Sequence, residues 1–215
     1  MKFAIVLSGC GVYDGAEIHE ATMTMLAIES NGCQYEMFAP NINQYHVINH
    51  LTGDVMDESR NVLVEAARIA RGNIRALSAY SAKEFDGIIF PGGFGVAKNL
   101  CSYAIDGTEM RIDKIVAGAV RETHSLRKPI GALCISPIMI AALIPGAEVT
   151  LGSDTKFNSE VSTLGGKHKT TQNRQVVVDS KNRIVTTPCY MNSATITDIA
   201  LGAEMVVKEM IALGG

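Results

Sequence analysis

The sequence predicts an α/β protein with a mainly parallel sheet, on three observations. Short apolar runs alternate with longer segments of helical period, as at 2–7, 14–30 and 33–38, and such β-α-β crossovers build parallel sheets. The runs are continuously apolar, which fits strands buried on both faces. At Pro129-Ile130-Gly131-Ala132-Leu133-Cys134-Ile135-Ser136-Pro137 an apolar strand passes directly into a helix with no loop between them.

That corner organises the chain. Pro129 opens the strand, and Pro137 to Ile144 form the helix behind it. Cys134 stands at the junction, where the missing loop imposes a strained backbone and lifts the side chain to the carboxyl edge of the sheet. Open α/β sheets bind ligands along this edge. The helix N-terminus is expected to favour thiolate over thiol through its free N–H groups and dipole. A buried, inert thiol is the ordinary role of this residue type, and the stretch alone leaves both readings open.

The other elements follow in order. Lys2 to Leu7 is a strand running into the flexible Ser8-Gly9-Cys10-Gly11. Asp14 opens a helix to about Ser30, closed by Asn31-Gly32, and Cys33 to Phe38 is a second strand stopped by Pro40. The stretch 41–57 has no period. A helix is expected over 58–71, a short strand over 74–77, a strand over 86–90 ending in Pro91-Gly92-Gly93-Phe94-Gly95, and helices over 96–101 and 112–126. Beyond the corner, 147–151 reads as a strand and 155–166 as a weak helix or irregular excursion. Residues 175–178 and 183–186 read as a hairpin, and 192–213 as a closing helix.

Composition narrows the class. The chain has 215 residues, 47% hydrophobic, with a net charge of −3, few aromatics and no Trp. It is read as one domain over 1–215, neither disordered nor a nucleic-acid binder. The five cysteines are scattered without metal spacing, which points to free thiols in a reducing, cytoplasmic setting. Leu7-Ser8-Gly9-Cys10 looks like a lipobox, but the apolar stretch before it is too short for a signal segment, and no later run is long enough to span a membrane.

Three groups carry chemistry. The turn at Gly92 and Gly93 lies between a strand and a helix, so its N–H groups face the same edge as Cys134 and can hold an oxyanion, or it is a simple tight turn. Glu17 and Glu20 share a helix face after the first strand, where one can reach the thiol and move a proton, or both serve only the helix dipole. No metal or cofactor is expected, because Glu17, His19, His50 and His168 are not spaced to converge. Cys10 is a lesser candidate as a resolving thiol, and His50 and Asn49 are candidates for the pocket rim.

These pieces resemble the class I glutamine amidotransferase-like superfamily, in the branch of the parkinsonism-associated deglycase and the PfpI proteases. The phrases Leu7-Ser8-Gly9-Cys10-Gly11-Val12-Tyr13-Asp14-Gly15, Glu17-Ile18-His19-Glu20-Ala21, Val47-Ile48-Asn49-His50-Leu51-Thr52-Gly53, Arg60-Asn61-Val62-Leu63 and Thr186-Thr187-Pro188 are similar to the ElbB family, also called enhancing lycopene biosynthesis or sigma cross-reacting protein. The likeness covers nearly the whole chain and is weakest over 155–173. It implies a flavodoxin-like three-layer sandwich, commonly dimeric, with Cys134 as nucleophile, Glu20 as the acid touching it, and Gly93 and Ile135 supplying oxyanion N–H groups. It implies glutathione-independent conversion of a small aldehyde, glyoxal, to glycolate. The His that amidotransferases place after the nucleophile is missing from Leu151-Gly152-Ser153-Asp154, so a Cys–Glu dyad is expected rather than a triad. The alternatives are a redox-sensing or interaction protein using oxidation of the same thiol, and a glutamine amidotransferase-like subunit.

Overall fold

A computed structural model describes residues Met1–Gly215. The elements are β1 (Lys2–Val6), α1 (Ile18–Ser30), β2 (Gln34–Ala39), α2 (Val62–Ile69), β3 (Ile74–Ala76), β4 (Gly87–Phe90), α3 (Tyr103–Asp106), α4 (Lys114–Ser125), β5 (Ile130–Leu133), α5 (Pro137–Leu143), β6 (Glu148–Val149), α6 (Lys156–Thr163), β7 (Lys167–His168), β8 (Val177–Asp179), β9 (Ile184–Thr187) and α7 (Ile196–Gly214). Seven strands form one sheet in the order β3-β2-β1-β4-β5-β9-β8. All neighbours are parallel except β8 and β9, which form the expected hairpin. No helix is long and apolar enough to cross a membrane.

The apolar runs are explained by burial on both faces. Successive side chains of a strand point to opposite sides of the sheet. Phe3, Ile5 and Leu7 of the first strand region therefore enter one core with Ile89, Leu133 and Val185. Ala4 and Val6 enter the other with Ile88, Phe90, Ile130 and Ile184. The first core is closed by α1, α2 and α7, and the second by α4, α5 and α6. These are the three layers of a flavodoxin-like α/β sandwich. Gly131 lets α7 lie against β5, since a Cβ there would meet Met210 Sδ at 2.5 Å.

Several boundaries differ from expectation for local reasons. The helix anticipated from Asp14 begins only at Ile18, because Gly11 to Glu17 are tied into turns. Gly15 N–H donates to Gly11 O at 2.7 Å, and Glu17 N–H donates to Gly92 O at 2.9 Å. The helix expected over 58–71 starts at Val62, with the Asn61 side chain accepting from Val64 N–H as cap. The strand read at 147–151 is reduced to β6, which pairs only with β7 in a small separate ribbon. Residues 96–101 form a π-helical turn, Val96–Leu100. The aperiodic stretch 41–57 is held by isolated bridges, Asn43 to Asn61 and Ile48 to Val55.

The second core contains an aromatic group that fixes the β2 side of the sheet. Phe38 is fully buried and meets Phe85 and Tyr80 edge-on, at centroid distances of 5.5 and 5.6 Å. Phe38→Ala is expected to destabilise the protein by about 3–5 kcal/mol in chemical denaturation. The long α7 begins with a capping box between Thr195 and Asp198, and Thr195→Ala is expected to cost about 1 kcal/mol in the same measurement.

Candidate active site

The sheet reverses its winding between β1 and β4, and such a switch point opens a crevice outside the carboxyl ends of the strands. Three segments meet there: the end of β5 with Cys134, the turn after β4 with Gly92 and Gly93, and the start of α1 with Glu17 and Glu20. Cys134 has φ 59°, a left-handed conformation unusual for a side chain other than Gly or Asn. Its N–H donates to Thr187 O at 3.0 Å, which carries the β5–β9 ladder to the corner. The buried Ser136 hydroxyl donates to Pro91 O at 2.9 Å and ties the corner to the β4 turn.

Packing at the corner requires glycine. A Cβ on Gly92 would lie 2.3 Å from Cys134 Cβ and 2.6 Å from Glu20 Oε2. Gly93 has φ 100°, and a Cβ there would meet Glu17 N and Gly15 O, both at 2.4 Å. With no side chains in the way, the turn lies directly on the thiol and the carboxyl.

Glu20 is completely buried. Its Oε2 accepts from Gly92 N–H at 2.8 Å and its Oε1 accepts from Tyr190 N–H at 3.4 Å, and the carboxyl lies beside the Cys134 thiol, a Cβ on Gly92 falling 2.6 Å from Oε2 and 2.9 Å from the sulfur. Burial first, and the neighbouring Glu17 second, push its pKa up to about 8. Glu17 stays on the cavity side as the α1 cap, its Oε2 accepting from Glu20 N–H at 2.7 Å. The Cys134 thiol is held well above its ordinary pKa by burial and by the carboxyl beside it, and this outweighs the N–H groups of Gly93 and Ile135 that reach the sulfur.

Two expectations are corrected here. The surroundings push the Cys134 pKa up, not down as the helix N-terminus alone would, because loss of water and a buried carboxyl outweigh the two amides and the dipole of the short α5. Gly92 does not offer its N–H to an oxyanion, because that group is already donated to Glu20. The amides of Gly93 and Ile135 remain directed at the sulfur, where an adduct oxygen would form.

A cavity of about 400 Å³ opens over Cys134. It is lined by Glu17, Gly93 and Ile135 together with Val12, Phe94, Tyr103, Lys156, Phe157, Tyr190, Met191 and neighbouring alanines. None of the five histidines lines it. His19 Nδ1 pairs with the Tyr190 hydroxyl at 2.9 Å, and His168 Nε2 accepts from Leu151 N–H at 3.0 Å.

Of the proposed rim residues, Glu17 lines the cavity, whereas Cys10, His50 and Asn49 do not. Cys10 lies near Glu65, Arg68 and Asp14 and outside the lining of the cavity over Cys134, so it is not placed to resolve that thiol. His50 Nε2 accepts from Tyr13 N–H at 3.2 Å, and Asn49 Oδ1 accepts from Leu51 N–H at 3.0 Å in its own turn. The 41–57 segment thus braces the Gly9–Gly15 loop instead of reaching the pocket. Asp14 Oδ2 accepts from Ile48 N–H at 2.7 Å, and the buried Asn99 side chain donates to Ser8 O and Asp14 O at 3.0 and 2.9 Å.

Sequence reasoning missed Tyr190, Tyr103, Lys156 and Phe157 as lining residues, Asn99 as a brace and Cys189 as a second thiol near the pair. Cys189 is buried with φ 45°, and its own pKa is raised well above the ordinary value by burial and then by Glu20. The hairpin reading contained the signal for Cys189 and Tyr190, because a strand parallel to β5 must deliver its following residues to the same edge. Tyr103, Lys156 and Phe157 arrive on excursions with no local pattern.

No protein-family model matches the chain. It is 43% identical, over its full length and 84% of the relative, to a rat protein named ES1 protein homolog, mitochondrial. It is 42% identical, with the same coverage, to a human protein named glutamine amidotransferase-like class 1 domain-containing protein 3, mitochondrial. A crystal structure described as an isoprenoid biosynthesis protein with amidotransferase-like domain, from Ehrlichia chaffeensis, superposes with a TM-score of 0.93 at 38% identity and covers 99% of both chains. Glyoxalase III from Candida albicans superposes with a TM-score of 0.64 at 14% identity, a likeness of fold alone, covering 99% of this chain and 97% of that one. The expected cytoplasmic location is overturned, because these curated relatives are mitochondrial proteins. The corner cysteine, the glycine turn, the buried acid and the full-length likeness lead to one conclusion: the chain belongs to the ES1/ElbB family of class I glutamine amidotransferase-like proteins.

Proposed function

We propose that the protein is a glutathione-independent glyoxalase that converts α-oxoaldehydes to 2-hydroxy acids through a covalent adduct on Cys134. The observation that carries this reading is the buried Glu20 carboxyl packed beside the thiol, both of them bordering Gly92, in a cavity that no histidine lines. A Cys–His triad moves protons between nucleophile and leaving group, whereas isomerising an oxoaldehyde needs one acid–base group beside the adduct. The fold shared with glyoxalase III is compatible with that chemistry.

The steps balance within the site. Glu20 accepts the thiol proton as the sulfur attacks the aldehyde carbon, and the new oxyanion faces the N–H groups of Gly93 and Ile135. Glu20 returns that proton to the oxygen, giving a hemithioacetal. It then takes the proton from the former aldehyde carbon, giving an enediol, and delivers it to the adjacent carbonyl carbon while the hydroxyl proton passes to that carbon's oxygen, giving a 2-hydroxy thioester. Water cleaves the thioester, releasing the hydroxy acid and the thiol. One carbon is oxidised as its neighbour is reduced, so no external oxidant enters.

Consumption of glyoxal and methylglyoxal without glutathione, with products identified by NMR, tests the reading. Cys134→Ser is expected to abolish turnover, and Glu20→Gln to reduce it by at least about 100-fold, the usual contribution of a positioned acid–base. Equal rates in all three proteins would refute the dyad. Because the carboxylate form begins the reaction, kcat/KM should rise with pH and level off above about 8.

The same group leaves a mark on stability. Its folded pKa is raised, so the native state holds a proton that the unfolded chain releases, and stability falls as pH climbs from about 4.5 to about 8. Thermal unfolding of the wild type across this window should show the decline, and Glu20→Gln should flatten it.

A further inference from the structure

The cavity is far larger than a small dialdehyde requires. It holds about 400 Å³, whereas glyoxal, at about 30 Å³ per heavy atom as in liquid water, fills roughly 100 Å³. The surplus space is apolar, for ten of the thirteen lining residues are hydrophobic. Glu17 and the amides of Gly93 and Ile135 stand at the sulfur end, Phe94, Ala97, Tyr103, Ala104, Phe157 and Met191 supply most of the other walls, and Lys156 is the one cation among the lining residues.

These walls are built into the fold. Ala97 and Phe157 are 1% and 3% exposed. Tyr103 packs against the same core as Phe157, and its hydroxyl donates to Glu160, which braces α3 against α6. Glyoxal would leave most of the chamber to water that has few polar partners there. A substituent of aromatic size would displace that water and bury apolar surface on both sides.

We infer that the site selects electrophilic carbonyl substrates bearing a bulky apolar substituent, aryl or branched alkyl, next to the reactive carbonyl, in preference to glyoxal. In the reaction proposed above, on which this substrate assignment rests, these are substituted α-oxoaldehydes. The balance is unchanged: sulfur bonds to the aldehyde carbon, that carbon's hydrogen passes through Glu20 to the ketone carbon as the adduct's hydroxyl proton passes to the ketone oxygen, and water releases a substituted 2-hydroxy acid. Ala104 lies exposed at the lip of the chamber on α3, so a larger side chain there can enter the space without displacing the core.

The test compares kcat/KM for phenylglyoxal and glyoxal without glutathione, in the wild type and in Ala104→Phe, with mandelate and glycolate quantified by NMR. The wild type should favour phenylglyoxal by at least about tenfold, the scale on which an apolar pocket discriminates. Ala104→Phe should reduce that preference by a similar factor. A wild type that favours glyoxal, or a variant that lowers both rates in parallel, would overturn the inference.

Alkylation of Cys134, followed by intact mass, reads the same chamber without turnover. Phenacyl bromide should outpace iodoacetamide by more in the wild type than in Ala104→Phe, after each rate is divided by that of a free thiol. Preferential phenacyl labelling with no consumption of either aldehyde would refute the glyoxalase reading while supporting the chamber's selectivity. Equal preference in the two proteins, with oxoaldehyde turnover intact, would refute the selectivity while leaving the chemistry standing.

Discussion

A carboxyl group with no contact with water governs the architecture of this site. An ionised Glu20 in that position would cost several kcal/mol in lost hydration, and the structure answers in two ways. It supplies N–H donors from Gly92 and Tyr190, and it lets the group keep its proton up to about pH 8. Each answer constrains the chain elsewhere. Gly92 must lack a side chain, the β4 turn must lie flat against α1, and residue 190 must return to the same edge after β9. The site is therefore assembled around Glu20 as much as around Cys134.

Sheet topology makes this convergence possible. Residues 20, 92, 134 and 190 are far apart in the chain, yet each follows a strand of the same parallel array, and parallel strands end at one edge. The ladder hydrogen bond from Cys134 N–H to Thr187 O joins two of these ends through backbone groups, and the Ser136 hydroxyl on Pro91 O adds the third through a side chain. Geometry set by main chain survives side-chain variation nearby.

The thiol end and the chamber have different origins. The sulfur, the amides and the acid come from strand ends, whereas the apolar walls come largely from α3, α6 and the turn near residue 190. Side chains on excursions can change without disturbing the sheet, and selectivity commonly resides in such segments. The excursion 155–166 supplies Lys156 and Phe157 to the wall.

Local pattern was enough for much of this protein. The apolar strands, the looped-out glycine turn, the strained corner at Cys134 and the acid on α1 were all legible, because each depends on residues adjacent in the chain and on a period of 2 or 3.6. Phrases around Cys10, Cys134 and Thr187 also identified the family. Tertiary structure decided what depends on distant neighbours: that Gly92 donates to Glu20, that burial pushes the thiol pKa up, that Cys10, His50 and Asn49 stand away from the cavity, and that 41–57 braces a loop. The ionisation of a buried group is a sum over every dipole and charge packed around it. That sum exists only once the chain has folded.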